Sequence, residues 1–165
     1  MTKLVHVKGL AELQQALNQV PAKIEANILR AALRAGAKVV QKEVKAQVPV
    51  KSGTLRRGIE ISTDRRGGKV TAKVKATGKH AHIAPWLEYG TAAHRIVAKG
   101  KGLALFGGGF AKVVQHPGLP PRPFMRPALD ARAAQAVLAT GNAIKKRLAT
   151  KHGLDTPDLE LETDE

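Results

Sequence analysis

Residues 21–49 read PAKIEANILRAALRAGAKVVQKEVKAQVP, and this stretch decides the fold class. Its apolar residues recur at intervals of three and four, which is the period of one face of an α-helix. Pro21 suits the first turn of a helix, and Pro49 ends one because the residue before a proline avoids helical dihedral angles. The stretch therefore predicts one long amphipathic helix whose apolar stripe comprises Leu29, Leu33, Ala37, Val40, Val44 and Val48.

The polar face of the same helix carries cations at spacings of three and four residues, which places them in one row. We call this row the helix stripe; it consists of Arg30, Arg34, Lys38, Lys42 and Lys45. A run of like charges is usually a solvated face that keeps a chain soluble. The alternative is a surface that meets DNA or an acidic protein partner.

The charge balance of the whole chain favours that alternative. The 165 residues contain 28 Lys+Arg and 13 Asp+Glu, a net charge of +15, and six of the acids fall in the last eleven residues. Residues 1–153 therefore carry 28 bases against 7 acids, a net +21, far above the ~2–8 of an ordinary small domain. Such an excess attracts polyanions or acidic protein surfaces. The five aromatic residues are too few for the stacking platform of a single-strand binder.

The segments around the long helix complete an α+β pattern. Residues 3–8 predict a short edge strand, and residues 9–20 predict a first helix. Ser52 or Thr54 can cap a short helical turn through Leu55. Apolar and polar residues then alternate over 59–75 around a turn at 65–68, which predicts a β-hairpin. The outer side of its second strand is basic, and we call Lys69, Lys73 and Lys75 the strand face.

The C-terminal part predicts a second set of elements. Residues 83–89 form a short amphipathic segment, with Ile83, Trp86, Leu87 and Tyr89 expected to face inward. A final helix starts at Pro123 or Pro127 and runs to about Lys151. Its expected apolar side comprises Leu129, Ala133, Val137, Ala143, Ile144 and Leu148. Residues 154–165 are acidic and predict a disordered, flexible tail.

Between these elements lies a long Gly-, Lys- and Pro-rich excursion over residues 98–122. Two apolar bursts flank Gly107-Gly108-Gly109, which predicts a flexible hairpin arm. Long excursions inside a compact domain are usually functional, and this arm is a candidate for a segment that orders only against a neighbouring subunit. Its candidate intersubunit residues are Leu103, Leu105, Phe106, Phe110 and Val113. The prediction is one α+β domain over 1–153: a long N-terminal helix, a small antiparallel sheet with the arm, and a C-terminal helix.

The parts that catalysis needs are missing from the sequence. Zero cysteines exclude a disulfide scaffold, a zinc ribbon and a thiol nucleophile. His80, His82 and His94 were weighed as metal ligands, but solvated histidines on a basic loop are the favoured interpretation. The triple glycine fits neither phosphate-binding fingerprint. The body's few acids lie beside no nucleophile, so we predict no enzyme, no catalytic residue, no metal and no cofactor. No apolar run reaches ~18 residues, so no membrane span is expected.

Three stretches, in this order and spacing, resemble the small head–tail joining family of long-tailed bacteriophages, also called neck or tail-completion proteins. They are AQVPVKSGTLRRGI at 46–59, IAPWLEYGTAAH at 83–94 and HPGLPPRPFMRPAL at 116–129. The resemblance spans roughly residues 20–150. The positions that carry it are Pro49, Gly53, Thr54, Leu55, Glu88, Tyr89, Gly90, Thr91, His116, Pro117, Gly118, Pro123, Phe124, Arg126, Pro127 and Ala128. Trp86 departs from the family's usual residue, and the Lys-rich excursion occurs only in its longer members.

This resemblance implies a non-catalytic virion structural protein of the neck, assembled in the host cytoplasm. It implies a homo-oligomeric ring, hexameric in our expectation, between a head connector or stopper ring and the tail tube or tail terminator. Packaged double-stranded DNA would pass through it and contact it transiently. The alternative, supported by charge alone, is a free-standing basic nucleic-acid-binding protein.

Overall fold

The computed structural model describes residues 5–100, 102–154 and 160–163. Five helices are present in these ranges: α1 Leu10–Asn18, α2 Ala22–Gln47, α3 Thr54–Arg57, α4 Ile83–Tyr89 and α5 Met125–His152. The strands are β1 Val5–Lys8, β2 Ile59–Arg66, β3 Lys69–Ala76, β4 His94–Val97, β5 Leu103–Ala104, β6 Phe110–Ala111, β7 Val113–His116 and β8 Glu160–Thr163. The α+β class and the long helix at the centre of the sequence argument are confirmed.

Helices α2 and α5 form the framework of the molecule and run antiparallel. The Glu43 carboxylate on α2 pairs with Arg132 near the start of α5, at 2.7 Å. Halfway along, Gly36 faces Ala136 and Thr140. A Cβ built on Gly36 would lie 2.2 Å from Thr140 Oγ1 and 2.6 Å from the Ala136 carbonyl oxygen. The bare glycine therefore allows the two helices to approach this closely.

The hairpin β2–β3 packs against α2. Gly67 and Gly68 form its two-residue turn with positive φ angles of 54° and 79°, the backbone that a tight type I′ turn requires. The side-chain amide of Gln41 on α2 donates a hydrogen bond of 2.7 Å to the Ile59 carbonyl oxygen. This contact ties the start of the hairpin to the helix.

Two buried clusters lie along the α2–α5 pair. One joins the end of α2 to the hairpin, α3, α4 and the start of α5; it contains Val40, Val44, Val48, Leu55, Ile59, Ala84, Phe124 and Ala128. The other joins α1 to the opposite ends of the two long helices, and it contains Leu13, Ala16, Leu17, Ile28, Ala32, Ile144 and Leu148.

The predicted arm is present as a hairpin and starts earlier in the chain than expected. Strands β4 and β7 pair antiparallel from His94 opposite His116 to Val97 opposite Val113. Beyond them β5 pairs with β6, and residues 105–109 turn the chain. The hairpin thus begins at residue 94, four residues before the predicted excursion.

Several expectations are corrected. The strands of the described residues form four separate two-stranded antiparallel pairs, not one small sheet. On α4, Trp86 and Tyr89 are exposed, whereas Ala84 and Glu88 are buried. Residues 84, 87 and 88 lie on one side of α4, and this side faces the core. On α5, Leu129, Ala133 and Val137 are exposed because no described element covers this part of the helix, whereas Ala128, Gly141, Ile144 and Leu148 are buried.

The acidic tail also differs from expectation over four residues. Strand β8, Glu160–Thr163, pairs antiparallel with β1, so this part of the predicted disordered tail is a strand. An unpaired edge strand leaves backbone hydrogen-bonding groups unsatisfied, and a second strand provides partners for them. Residues 155–159 and 164–165 lie outside the described part of the chain. Within the described ranges, no helix combines the length and apolarity that crossing a bilayer requires.

Candidate functional site

The carboxylate of Glu88 holds the start of α5. Its Oε2 accepts hydrogen bonds from the backbone N–H groups of Phe124 (2.8 Å) and Met125 (2.9 Å). Its Oε1 accepts from the backbone N–H of Arg126 and from the Arg126 Nε, both at 3.0 Å. The first N–H groups of a helix lack partners within the helix, and α5 has no capping side chain of its own. Glu88 therefore caps α5 from 36 residues away in sequence.

The environment of Glu88 strongly favours its ionised form. The residue is only 4% exposed, and burial by itself raises the pKa of a carboxyl group. The three backbone donors and the Arg126 guanidinium outweigh burial and lower the pKa of Glu88 from 4.5 to about 2. The positive end of the α5 dipole acts in the same direction. A permanent negative charge thus sits in the joint between α4 and α5.

Two glycines allow the chain segments entering and leaving the arm to touch. Gly90 and Gly118 have φ angles of +74° and +87°. A Cβ on Gly118 would lie 2.3 Å from the Thr91 carbonyl oxygen, and one on Gly90 would lie 2.6 Å from the Leu119 carbonyl oxygen. Thr91 and Leu119 exchange two backbone hydrogen bonds of 2.9 and 3.0 Å. These contacts close the base of the arm.

The remaining motif residues reinforce the same joint. Arg126 lies over the Tyr89 ring, with its Cζ 4.8 Å from the ring centroid. The His116 Nδ1 accepts a hydrogen bond from the Gly118 N–H at 3.0 Å. The His116 ring also stacks on His94 at 4.9 Å between centroids.

The first motif stretch, residues 46–59, contacts the joint between α4 and α5 through the buried core. Gly53 adopts φ +72° before α3, and the Ser52 hydroxyl lies 3.0 Å from the Thr54 hydroxyl. Leu55 of α3 enters the buried cluster that contains Phe124 and Ala128. Residues from all three motif stretches are thus brought together. Pro49, Pro117, Pro123 and Pro127 are exposed around this joint. We call the unit of α3, α4, the arm base and the start of α5 the clamp.

The arm carries its apolar side chains into solvent. Phe106 is completely exposed and Phe110 is 73% exposed, and Leu105 and Val113 are also exposed. Leu103 is partly buried. No atom lies within 4 Å of a Cβ built on Gly107, Gly108 or Gly109. A rigid clamp therefore supports a projecting hairpin whose tip is aromatic.

The two basic surfaces differ in composition. On the helix stripe, four of the five cations are exposed and Lys45 is half-buried, and no acid occurs between Ala26 and Lys42. On the strand face, Lys75 stands opposite Glu60 and Lys73 opposite Ser62. Asp64 on the same hairpin pairs with Arg66 at 3.2 Å. The strand face is thus partly neutralised, and the helix stripe is the more uniform positive surface.

An open apolar groove runs between α2 and α5, and the sequence analysis missed it. Its volume is about 620 Å³. The floor includes Gly36 and Val40, and Leu129, Ala133 and Val137 of α5 form one wall. Leu10 of α1 and Ala72 and Val74 of β3 close its sides. The spacing of four between residues 129, 133 and 137 was a visible signal, but we interpreted it as core.

The histidines do not assemble into a ligand set. His80 and His82 lie 6.3 Å apart between ring centroids, His82 meets the edge of Trp86, and His94 stacks on His116. Among the residues that the structure describes, no three His, Asp or Glu side chains converge as a metal site would require. The candidate functional features are therefore the clamp, the arm, the groove and the helix stripe.

Comparison with known proteins identifies one similarity. Residues 11–90, which are 80 of the 165, match a family described as "Bacteriophage HK97-gp10, putative tail-component". Just under half of the chain is thus similar to phage tail components. The matched range includes α2, the hairpin, the first motif stretch and residues 83–90 of the second, and it ends at Gly90 before the arm. No curated protein and no solved structure matches the chain significantly.

Proposed function

We propose that this chain is a structural component of the neck of a long-tailed phage, a head–tail joining or tail-completion protein that forms a ring. The observation that carries the proposal is the similarity of residues 11–90 to phage tail components. The clamp supports it: Glu88 lies inside the matched range and caps α5 beyond it. The two halves of the chain therefore form one structural unit, as a ring subunit needs.

The arm gives this unit a means of joining to its neighbours. The clamp fixes the direction in which the arm leaves the body, because Thr91 and Leu119 pair at its base. Exposed aromatic side chains are the residues that most often anchor protein interfaces. Head connector or stopper proteins, tail-tube or terminator proteins and further copies of this chain are the partners that we propose for these surfaces.

The charge of the helix stripe limits how a ring would hold DNA. The stripe extends from Arg30 to Lys45, or about 22 Å of helix, and duplex DNA carries about 13 phosphates over that length. Six copies would present about 30 stripe cations, more than twice that number of phosphates. A channel lined by every stripe would hold DNA strongly and oppose its passage. We therefore propose that only some of these cations meet DNA and that the others face solvent or acidic partners.

Phage particles provide the test of the neck assignment. A nonsense mutation in the gene for this chain should yield filled heads and separate tails, and supplying the protein in trans should restore joined particles. Mass spectrometry of purified particles should detect the chain in a small, fixed copy number. Purified particles that lack the chain, or mutant particles that join normally, would refute the proposal.

The helix stripe favours one second candidate, a free-standing protein that binds nucleic acid. That function predicts tight duplex binding by the monomer with a steep salt dependence, since each neutralised phosphate releases counterions. The neck function predicts weak binding by the monomer together with self-association. A titration of duplex DNA at several salt concentrations separates the two. Replacing Arg30, Arg34 and Lys38 with Gln should flatten the salt slope by about 3 if this surface binds phosphates.

A further inference from the structure

The groove between α2 and α5 is an apolar surface without a cover in the described chain. Leu129 is 52% exposed and Val137 is 43% exposed, although Ile144 and Leu148 farther along the same helix are buried. A continuous apolar cleft of about 620 Å³ has the size of clefts that accept ligands or several side chains. Exposed apolar area of this kind indicates a binding surface.

The arm tip is a second apolar surface without a cover in the same chain. Phe106 and Phe110 project into solvent, and the glycines between them have no neighbouring atom within 4 Å of a built Cβ. The two surfaces are complementary in shape, because the tip is a narrow aromatic projection and the groove is an apolar recess.

We propose that the arm tip of one copy inserts into the α2–α5 groove of the next copy, with Phe106 and Phe110 as the anchoring side chains. The proposal rests on the proposed function, because it identifies the subunit contact of the ring. The contact joins two different surfaces of the chain, so each copy has one arm to give and one groove to fill. Such head-to-tail contacts close into rings when the rotation between copies allows it.

The charges favour an apolar contact of this kind. Two chains of +15 each repel one another, so apolar burial must provide the attraction. Arg126 lines the groove, and Asp130, the one acidic residue of α5, is exposed beside Leu129. Lys99 and Lys112, near the arm tip, are exposed as well. The charged residues near the two surfaces are thus mixed in sign, and the apolar side chains provide the attraction.

Salt distinguishes this contact from DNA binding. Added salt screens the repulsion between the basic bodies, so self-association through the arm should strengthen or hold as salt rises. Binding to DNA weakens steeply under the same change. Sedimentation of the full chain at low and high salt measures the first, and the duplex titration measures the second.

The absence of cysteine makes a direct crosslinking test clean. One chain carries Leu105→Cys, which leaves both anchoring phenylalanines in place, and the other carries Val137→Cys, and a short bis-maleimide is added to the mixture. A crosslinked dimer is expected from this pair. The matched control replaces Val50, an exposed valine outside the groove, and the pair of Leu105→Cys with Val50→Cys should yield little product. Equal yields from both pairs, or none from the first, would overturn the proposal.

A complementation test addresses the head-to-tail arrangement. The arm variant Phe106→Ser/Phe110→Ser and the groove variant Val137→Glu change only exposed positions, so both should fold like the wild type. Each alone should lose self-association by about 100-fold. Mixed together, they should form a dimer that grows no further, since only one intact arm and one intact groove remain. Variants that assemble normally, or a wild-type chain that stays monomeric at high concentration, would refute the docking.

The two proposals fail in different experiments. If particles contain the chain but the arm–groove pair does not crosslink, the neck function stands and the docking is wrong. If particles lack the chain while the arm and groove variants complement, the docking stands and the neck function is wrong.

Discussion

Replacing Glu88 with Gln tests whether the clamp depends on a charged cap. Glutamine keeps the shape of the side chain, but it offers one acceptor oxygen and places an NH₂ group where the second oxygen stood. That NH₂ group would face N–H donors. The variant therefore loses at least two of the four hydrogen bonds that Glu88 accepts, and it loses the charge near the positive end of α5.

Two estimates of the cost agree. Hydrogen bonds to charged groups contribute about 1.5–3 kcal/mol each, so losing two should lower the free energy of unfolding by about 3–6 kcal/mol. The lowering of the Glu88 pKa from 4.5 to about 2, at about 1.36 kcal/mol per pKa unit, gives about 3 kcal/mol. Such a loss is a large fraction of the stability of an ordinary domain.

The pH dependence gives the sign of the effect. A carboxyl group with a lowered pKa in the native state contributes its full stabilisation above its unfolded-state value near 4.5. It loses that contribution as the pH falls toward about 2. The difference in unfolding free energy between wild type and Glu88→Gln should therefore be largest at pH 7. It should shrink by about 3 kcal/mol as the pH falls from 4.5 to about 2.

Urea unfolding followed by circular dichroism at a series of pH values measures this difference. Glu60→Gln is the matched control, because Glu60 is an exposed carboxylate on β2, and its removal also raises the net charge by one. The control should have an unfolding midpoint close to that of the wild type. A Glu88→Gln variant with an unchanged midpoint, or with the same pH dependence as the wild type, would refute the role assigned to the cap.

Three further substitutions test the packing. Gly36→Ala places a methyl group against Thr140 and should lower the free energy of unfolding, measured in urea, by about 1–3 kcal/mol. An unchanged free energy of unfolding would show that the two helices can move apart slightly without loss of stability. Gly118→Ala should be more destabilising than Gly108→Ala, because both have positive φ but only the former meets backbone atoms; equal losses would reject the close contact at the arm base. Arg132→Ala removes a partly exposed ion pair and should cost under about 1 kcal/mol, and a larger loss would indicate an additional role in packing.

Local sequence signals were enough for the individual elements. The three-and-four spacing and the two prolines predicted α2, because amphipathic periodicity and proline sterics act within a few residues. The same holds for the β2–β3 hairpin, whose Gly67-Gly68 turn needs no distant partner. The arm was also predicted from its glycines and apolar bursts, although the β4–β7 pairing extends it to His94.

The roles of single residues within the site were not predictable in this way. Nothing near Glu88 in sequence indicates that it is buried, because its partners lie 36 to 38 residues away. The amphipathic pattern of residues 83–89 predicted that Trp86 and Tyr89 face inward, yet α4 turns Ala84 and Glu88 inward. The family resemblance drew attention to the residues of the clamp without indicating what holds them together.

Sequence alone determined the element types, the positive charge and the exposed aromatic arm, since these depend on short-range periodicity and composition. Only the tertiary structure decided how much of the apolar side of α5 is covered. The close approach at Gly36 and the capping of α5 by Glu88 position α5 against α2. Because α5 is oriented in this way, Leu129, Ala133 and Val137 line an open groove instead of a core.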